Sequence, residues 1–247
     1  MAGRPRGARP APRHRLAAAH PHIHDPAVII PPSFLMWGEL NIWGNDIYGD
    51  CVTAEEAAKD SLASNIFVSE AEVIAWAKKH RVLNGADLPE VMDIMERKGF
   101  VVSGAVYDDG PFNSVDWTNY ATVCSAIYTN VPAGNPVKIG IDATYLEQMI
   151  DNSDGSISNG WVVWEYPVAQ NYDHCTSLVG FGTAADLVTL FAARKVTVKL
   201  PASMPSATPC FAMFTWGTIG IVDANSINAM CGEAWLRNPP TIVFADS

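Results

Sequence analysis

Cys51 and His174 are the residues of this chain best suited by type and position to nucleophilic catalysis. Cys51 stands where a helical pattern begins, and the dipole of a helix N-terminus stabilises a thiolate by about 0.3 to 2 kcal/mol. Because that effect is modest, a catalytic thiol also needs an imidazole that accepts its proton and returns it. His174 precedes the apolar run 178–181, which predicts a position at the mouth of a strand. Each residue also has a purely structural interpretation. Cys51 would then fill space in the core, and His174 would be a histidine whose hydrogen bonds only support the fold.

The first half of the chain is predicted to be helical. From residue 51 to residue 62 small and apolar side chains recur at helical spacing, with Asp50 placed as the N-cap. A capping box predicts a second helix over 69–80, and a third is predicted over 87–98. Residues 36–50 contain too much glycine and asparagine for a helix, so a structured loop should precede Cys51.

The second half of the chain is predicted to form antiparallel strands, because short runs of β-branched and aromatic residues alternate there with turn signals. The predicted strands cover 137–141, 160–164, 177–181, 186–192, 196–200 and 211–216. A short helix is predicted over 145–150 and a closing helix over 226–236. Helices precede strands, so the fold class is α+β. We expect two lobes that meet along a groove, with Cys51 on the helical wall and His174 on the strand wall.

Three sequence blocks resemble those of papain-like cysteine peptidases. They are Trp43-Gly44-Asn45-Asp46-x-x-Gly49-Asp50-Cys51, Asp173-His174-Cys-Thr-Ser-Leu-Val-Gly-Phe-Gly182 and Thr215-Trp216-Gly217. The blocks follow the order of that family, and the resemblance covers most of residues 35–236. The nearest likeness is to a divergent branch from bacteria and tailed phages, in which Gly-Asn-Asp-x-x-Gly-Asp-Cys opens the central helix.

The resemblance implies a papain-like fold in which a helical N-terminal lobe, with the Cys-bearing helix at its centre, packs on an antiparallel sheet or barrel lobe. We expect one domain over 26–247, with a helical lobe at about 35–130 and a β lobe at about 131–247. Cys51 would be the nucleophile and His174 the base. Asn45, six positions before Cys51, would donate to the oxyanion, and Trp216 would shield His174 from solvent. The substrate would be a peptide or protein, with no cofactor or metal.

One family residue is missing. Papain-like enzymes carry an Asn two residues before the Trp-Gly pair, where this chain has Phe214. Thr215, Asp173 and Asn225 are the candidates to orient His174 in its place. An orienting residue is the least costly member to lose, because nucleophile and base still act as a unit. The absence of this Asn therefore weakens the prediction of an enzyme but does not exclude one.

The net charge of −10 conceals a basic arm at 1–25. Residues 1–24 hold five arginines and no acid, which leaves 11 basic and 26 acidic residues in the rest of the chain. An acidic body repels a phosphate backbone, so nucleic-acid contact is expected only through the arm. Its composition predicts a flexible tail, or a segment ordered by a partner or within an assembly. His20, His22 and His24 would make a weak metal site at best.

Composition also bears on compartment. The five cysteines are widely spaced with no Cys-x-x-Cys pair, which indicates thiols in a reducing compartment rather than a disulfide framework or zinc ribbon. No window approaches the roughly 18 apolar residues of a spanning helix, and the apolar run 16–19 is too short for a secretory signal. These features predict a cytoplasmic protein without membrane contact, or a virion-associated one if the chain comes from a phage.

Two functions remain open at this point. The first is a thiol hydrolase, a peptidase or amidase that acts through Cys51 and His174. The second is a catalytically impaired papain-like fold that serves as a structural or assembly protein, such as a phage virion component, with the basic arm making assembly contacts. Transglutaminase-like acyl transfer would share the Cys and His, but no acidic cluster of the calcium-binding kind accompanies them.

Overall fold

The computed structural model describes residues 3–151, 158–169 and 171–238, and the backbone of 241–244. Met1 and Ala2 of the arm, and a few positions assigned to the β lobe, lie outside these ranges. The helices are α1 (Arg13–Ala18), α2 (Cys51–Ser64), α3 (Glu70–His80), α4 (Leu88–Lys98), α5 (Tyr120–Ile127), α6 (Leu146–Asp151), α7 (Ala184–Ala193) and α8 (Ala224–Met230).

The strands divide among three sheets. They are β1 (Ala8–Arg9), β2 (Phe34–Leu35), β3 (Ala86–Asp87), β4 (Phe100–Val102), β5 (Ala105–Asp108), β6 (Phe112–Ser114), β7 (Val137–Ile141), β8 (Asn159–Val163), β9 (His174–Thr183), β10 (Thr197–Val198), β11 (Pro209–Thr215), β12 (Thr218–Asp223), β13 (Cys231–Arg237) and β14 (Thr241–Phe244). The main sheet has the order β10-β8-β12-β11-β9-β7-β13-β6, and β2 also pairs with β9. A second sheet joins β14, β5 and β4, and β1 pairs with β3.

The α+β architecture positions a nearly fully buried helix, α2, against strand β9 of the main sheet. The charged residues that space the apolar positions of α2 do not face water. Glu56 accepts ion pairs from Lys138 and Arg237, and Lys59 pairs with Asp109. Buried charges are tolerated when they are paired in this way, so the helix can be surrounded by protein on all sides.

The capped helices begin as predicted. The Ser69 side chain accepts a hydrogen bond from the amide of Glu72 at the start of α3, and the Asp87 side chain accepts one from Glu90 at the start of α4. The five-residue strand β7 coincides with the predicted run 137–141.

The predicted strand over 186–192 is wrong, because this segment forms α7. Thr183 and Asp186 form a reciprocal capping box at its start, and Leu187 and Phe191, four residues apart, are both buried on one face. The prediction rested on the β propensity of the apolar run, which the cap and the packing override.

The predicted closing helix over 226–236 is correct only in its first half. α8 ends at Met230, and the next residues enter the main sheet as β13, between β7 and β6. The sheet is also not wholly antiparallel, since β8 runs parallel to both β10 and β12. Both differences arise because strand pairing joins residues that are far apart in the sequence, and local residue patterns do not reveal it.

The basic arm is not the solvated tail that its composition suggests. Ala8 and Ala11 are buried, and β1 pairs in parallel with β3. Four of its five arginines form ion pairs with the acidic body: Arg4 with Asp151, Arg6 with Glu147 and Asp173, Arg9 with Glu90, and Arg15 with Asp93. Among the described residues, no helix has the length and apolar character needed to cross a membrane.

Candidate active site

Cys51 is the first residue of α2, and its side chain is buried. The thiol receives hydrogen bonds from the backbone of Cys175 and from the backbone of Gly7 in the arm. Burial raises the pKa of the thiol to about 11 despite these two bonds. Desolvation therefore outweighs the helix N-terminus, and Cys51 is a neutral thiol in this state.

His174 is the first residue of β9, and it is only 1% exposed. Its Nε2 lies 2.7 Å from the Thr215 hydroxyl oxygen, while Nδ1 has no hydrogen-bond partner in the described part of the chain. The Trp216 indole stacks on the ring, with centroids 4.0 Å apart. Burial, together with the positive charges of Arg6 and Arg4, lowers the pKa of His174 to about 3. The imidazole is therefore neutral.

The two residues lie on elements that pack together, as expected. α2 packs on β9, and the residue whose backbone binds the Cys51 thiol, Cys175, directly follows His174. In the described residues, no group of His, Cys, Asp and Glu has an arrangement suited to a metal ion.

Asn45 lies in the loop before α2 and is buried. Its Nδ2 donates to the Tyr48 carbonyl at 3.1 Å and lies 3.5 Å from Asp50 Oδ1. The side chain is thus engaged by its own loop rather than directed only at the space above the sulfur. The pKa of Asp50 is raised to about 7 by burial, so this carboxyl is half protonated near neutral pH beside the nucleophile.

The three candidates to orient His174 behave differently. Thr215 hydrogen-bonds the imidazole. Asp173 instead accepts from Arg6 and from the amide of Ala143, and the backbone of Asn225 donates to Asp223 at the start of α8. Because successive residues of a strand point to opposite faces, Phe214 turns away from His174 and packs edge-on against Trp43, as the alternation requires.

The part of the arm around Gly7 lies beside the Cys51 thiol. The amide of Ala8 donates to the Asp173 carbonyl at 3.1 Å, and the Gly7 carbonyl accepts from Ala86 at 3.0 Å. These bonds fix Gly7 in a narrow passage between two body glycines. An added Cβ on Gly7 would lie 1.7 Å from the Gly49 carbonyl oxygen, and one on Gly85 would lie 2.9 Å from the Gly7 carbonyl oxygen.

Two arginines of the arm flank Gly7. Arg6 Nε and Nη2 bind Glu147 Oε1 at 3.1 and 3.0 Å, and Arg6 Nη1 binds Asp173 Oδ2 at 2.9 Å. The Arg4 guanidinium lies over the Trp216 ring, 5.3 Å from its centroid. The arm therefore lies against Cys51 through Gly7, and through Arg4 it lies against the indole that stacks on His174.

Solved structures share this architecture at low sequence identity. A digestive procathepsin L 3 from the larval midgut of Tenebrio molitor superposes with a TM-score of 0.58 at 11% identity, over 89% of this chain and 73% of that one. The proform of the ragweed pollen allergen Amb a 11, a cysteine protease, gives 0.59 at 11% identity, over 92% and 72%. Xylellain, a cysteine protease from Xylella fastidiosa, gives 0.56 at 10% identity, over 97% and 98%.

The chain has a papain-like fold. No protein-family model and no curated protein sequence matches it. At 10–11% identity the likeness carries the papain-like fold alone, so the role of each residue rests on the geometry of this chain.

Sequence reasoning missed the part of the site that the arm contributes. Gly7, Gly85 and Glu147 were not candidates, because a glycine or a lone glutamate carries no catalytic signal. One signal was available in the complementary charges of arm and body, although we predicted a flexible tail or a segment ordered by a partner or within an assembly. The structure satisfies that charge within the chain.

Proposed function

We propose that this chain is a thiol hydrolase of peptide or amide bonds, held here in a latent form by its own arm. The observation that carries the proposal is the state of His174. Its Nε2 is bound by Thr215, its face is covered by Trp216, and its Nδ1 has no partner among the described residues, on a strand that packs against the Cys51 helix.

The chemistry follows from that arrangement. With Nε2–H donating to Thr215, the lone pair on Nδ1 accepts the proton of the Cys51 thiol. The thiolate attacks a carbonyl carbon, and the oxyanion binds the Cys51 backbone amide and the Asn45 side chain, which must turn from Tyr48. His174 returns the proton to the departing amine, and water then hydrolyses the acyl-enzyme.

The arm explains why the pair is neutral. A thiol with a pKa of about 11 and an imidazole with a pKa of about 3 do not exchange a proton at neutral pH. Departure of Arg4 and Arg6 removes two cations from His174 and admits water to both groups. Both pKa values then move towards those of an ion pair. Two structural neighbours were determined as proforms, which supports a latent state.

The test compares three full-length chains: wild type, Gly7→Ala and Gly7→Ala with Cys51→Ala. Gly7→Ala forces the arm out of the passage, because its new Cβ cannot share space with the Gly49 carbonyl. We expect hydrolysis of denatured casein by Gly7→Ala, at least tenfold faster than by wild type and absent in the double variant. Gly7→Ala with Cys124→Ala is the matched control and should keep the activity. A folded Gly7→Ala chain, checked by circular dichroism, that is no faster than the double variant would refute the proposal.

A second candidate function is the impaired fold with a structural or assembly role. It is favoured by Phe214 at the family's Asn position and by the engagement of Asn45 with Tyr48. Under this alternative, Cys51→Ala leaves assembly unchanged, and loss of the arm contacts, as in Gly7→Ala, disrupts it. Four arginines of the arm already bind the body, so in this state the arm offers little positive charge to nucleic acid.

A further inference from the structure

The residues that hold the arm form a site with its own chemical selectivity. Arg6 and Gly7 lie in a channel beside the thiol, which we call the groove and which is formed by Gly49, Gly85, Glu147 and Asp173. The backbone of Gly7 hydrogen-bonds Cys51. We propose that the groove recognises arginine–glycine sequences in its peptide substrates. Glu147 and Asp173 bind the arginine, and the passage between Gly49 and Gly85 admits only glycine beside it. That the bound peptide is a substrate rests on the proposed function, whereas its recognition by the groove is a binding property that can be measured separately.

Arginine is selected by its guanidinium contacts. Arg6 presents three nitrogens to two carboxylates: Nε and Nη2 to Glu147, and Nη1 to Asp173. A lysine ammonium is a single point charge on one nitrogen and does not reproduce this planar arrangement of three nitrogens. The contact therefore distinguishes arginine from lysine and not merely a cation from a neutral residue.

Glu147 and Asp173 pair with the same cation. In the described residues, the salt bridges of Glu147 and of Asp173 are both made to Arg6. Their side chains are 17% and 22% exposed with the arm in place, so they open to solvent when it leaves. Two adjacent carboxylates without a cation repel each other, and an incoming arginine removes that repulsion.

Glycine is selected by steric exclusion of larger residues. The Gly7 Cα passes so close to the body that an added Cβ would lie 1.7 Å from the Gly49 carbonyl oxygen and 2.5 Å from its carbon. Both contacts are to backbone, which cannot swing aside as a side chain can. Gly49 is constrained less tightly, since its own Cβ would lie 3.2 Å from the Arg6 carbonyl oxygen. Any residue larger than glycine is excluded from this position.

The contacts on the two sides of Gly7 fix the register of the pair. The amide of Ala8 binds the Asp173 carbonyl and the Gly7 carbonyl binds the amide of Ala86. A peptide that satisfies these backbone bonds places its glycine in the passage and the preceding side chain at Glu147. Arginine directly followed by glycine is thus the sequence that meets every contact at once.

The experiment uses full-length Gly7→Ala, whose arm cannot occupy the passage, and three synthetic peptides. The first peptide has the sequence of residues 3–10, the second replaces the arginine at Arg6 with lysine, and the third replaces the glycine at Gly7 with alanine. The readout is protection of Cys51 from iodoacetamide, which reports binding whether or not the peptide is cut. We expect the first peptide to protect at a concentration at least tenfold below the second, and the third to give no protection.

Glu147→Gln in the same background tests the pocket. We expect it to weaken protection by the first peptide at least tenfold, while Glu96→Gln, a matched loss of charge elsewhere on the chain, has no effect. Equal protection by all three peptides, or by none, would overturn the inference. So would iodoacetamide labelling of Gly7→Ala at the wild-type rate, because the arm would then tolerate a side chain in the passage.

Arg6→Gln gives a second way to open the groove if Gly7→Ala does not fold. It removes the ion pairs and leaves the glycine in place, and the same peptide series applies. Hydrolysis is followed in parallel. Selective protection without cleavage would retain the recognition and refute the hydrolase, whereas cleavage of all three peptides at one rate would retain the hydrolase and refute the recognition.

Discussion

The indole of Trp216 lies flat against the imidazole of His174, with ring centroids 4.0 Å apart and planes 17° from parallel. The Arg4 guanidinium lies over the same indole, 5.3 Å from the ring centroid. The body therefore supplies the first layer over the histidine, and Arg4 of the arm lies against that layer.

Removal of the first layer should expose the histidine. In Trp216→Ala we expect the pKa of His174 to rise from about 3 towards 6.5, because desolvation is the largest cause of its depression. NMR titration of the imidazole measures this shift. Trp216→Phe keeps an aromatic cover and is the control, so an equal rise in both variants would contradict the explanation.

Acid should favour release of the arm. The pKa of His174 is lowered to about 3 with the arm bound, so between pH 3 and 6.5 the released state binds more protons. Each unit of acidification in that window shifts the equilibrium towards release, by up to about tenfold. Hydrogen exchange at the amides of residues 6–9, corrected for intrinsic rates, measures the shift. His174→Gln should remove the part of the shift that this histidine causes.

Thr215 is expected to orient the imidazole. Thr215→Val removes the hydroxyl that binds Nε2 and should reduce kcat/KM of the opened chain by about tenfold to 10²-fold, since general acid–base catalysis contributes about 10²–10⁴-fold. The pH profile should shift with it, because the tautomer is no longer fixed. Thr215→Ser retains the hydroxyl and should restore both properties. An unchanged kcat/KM and an unchanged pH profile in Thr215→Val would show that Thr215 does not orient the imidazole.

The buried charges of α2 should dominate its stability. Glu56→Gln leaves Lys138 buried without its counter-charge and Arg237 with only its longer contact to Asp109 at 3.5 Å, and the loss of one partner from such a network costs about 3 to 5 kcal/mol. Urea unfolding measures the change. Glu96→Gln, outside that network, should stay within about 0.5 kcal/mol of wild type. A similar small effect for Glu56→Gln would show that water reaches the network.

Local signals in the sequence predicted the elements that carry the pair. The start of α2 at Cys51 and the cap at Ser69 depend on neighbouring residues, and both are found. Asp50 stands at the predicted N-cap position of α2, but its side chain makes no capping hydrogen bond. The resemblance predicted that Trp216 shields His174; its indole stacks on the imidazole, and the shielding role stays a prediction.

Long-range pairing was beyond such reasoning. β13 was expected as a helix because its apolar spacing fits both structures, and only its neighbours β7 and β6 decide between them. The position of the arm in the groove also depends on contacts between residues far apart in the sequence. Arg6 and Glu147 are 141 residues apart, and nothing local to either one indicates the other.

The close passage of Gly7 over Gly49 ties occupancy of the groove to the chain itself. A tethered occupant acts at a fixed effective concentration, on the order of millimolar for a flexible link, however dilute the protein is. Dilution of the protein therefore leaves the thiol covered. A free peptide must compete against the fixed effective concentration of the arm. Under the proposed function, release of the arm is then a property of each single molecule and does not depend on how many copies are present.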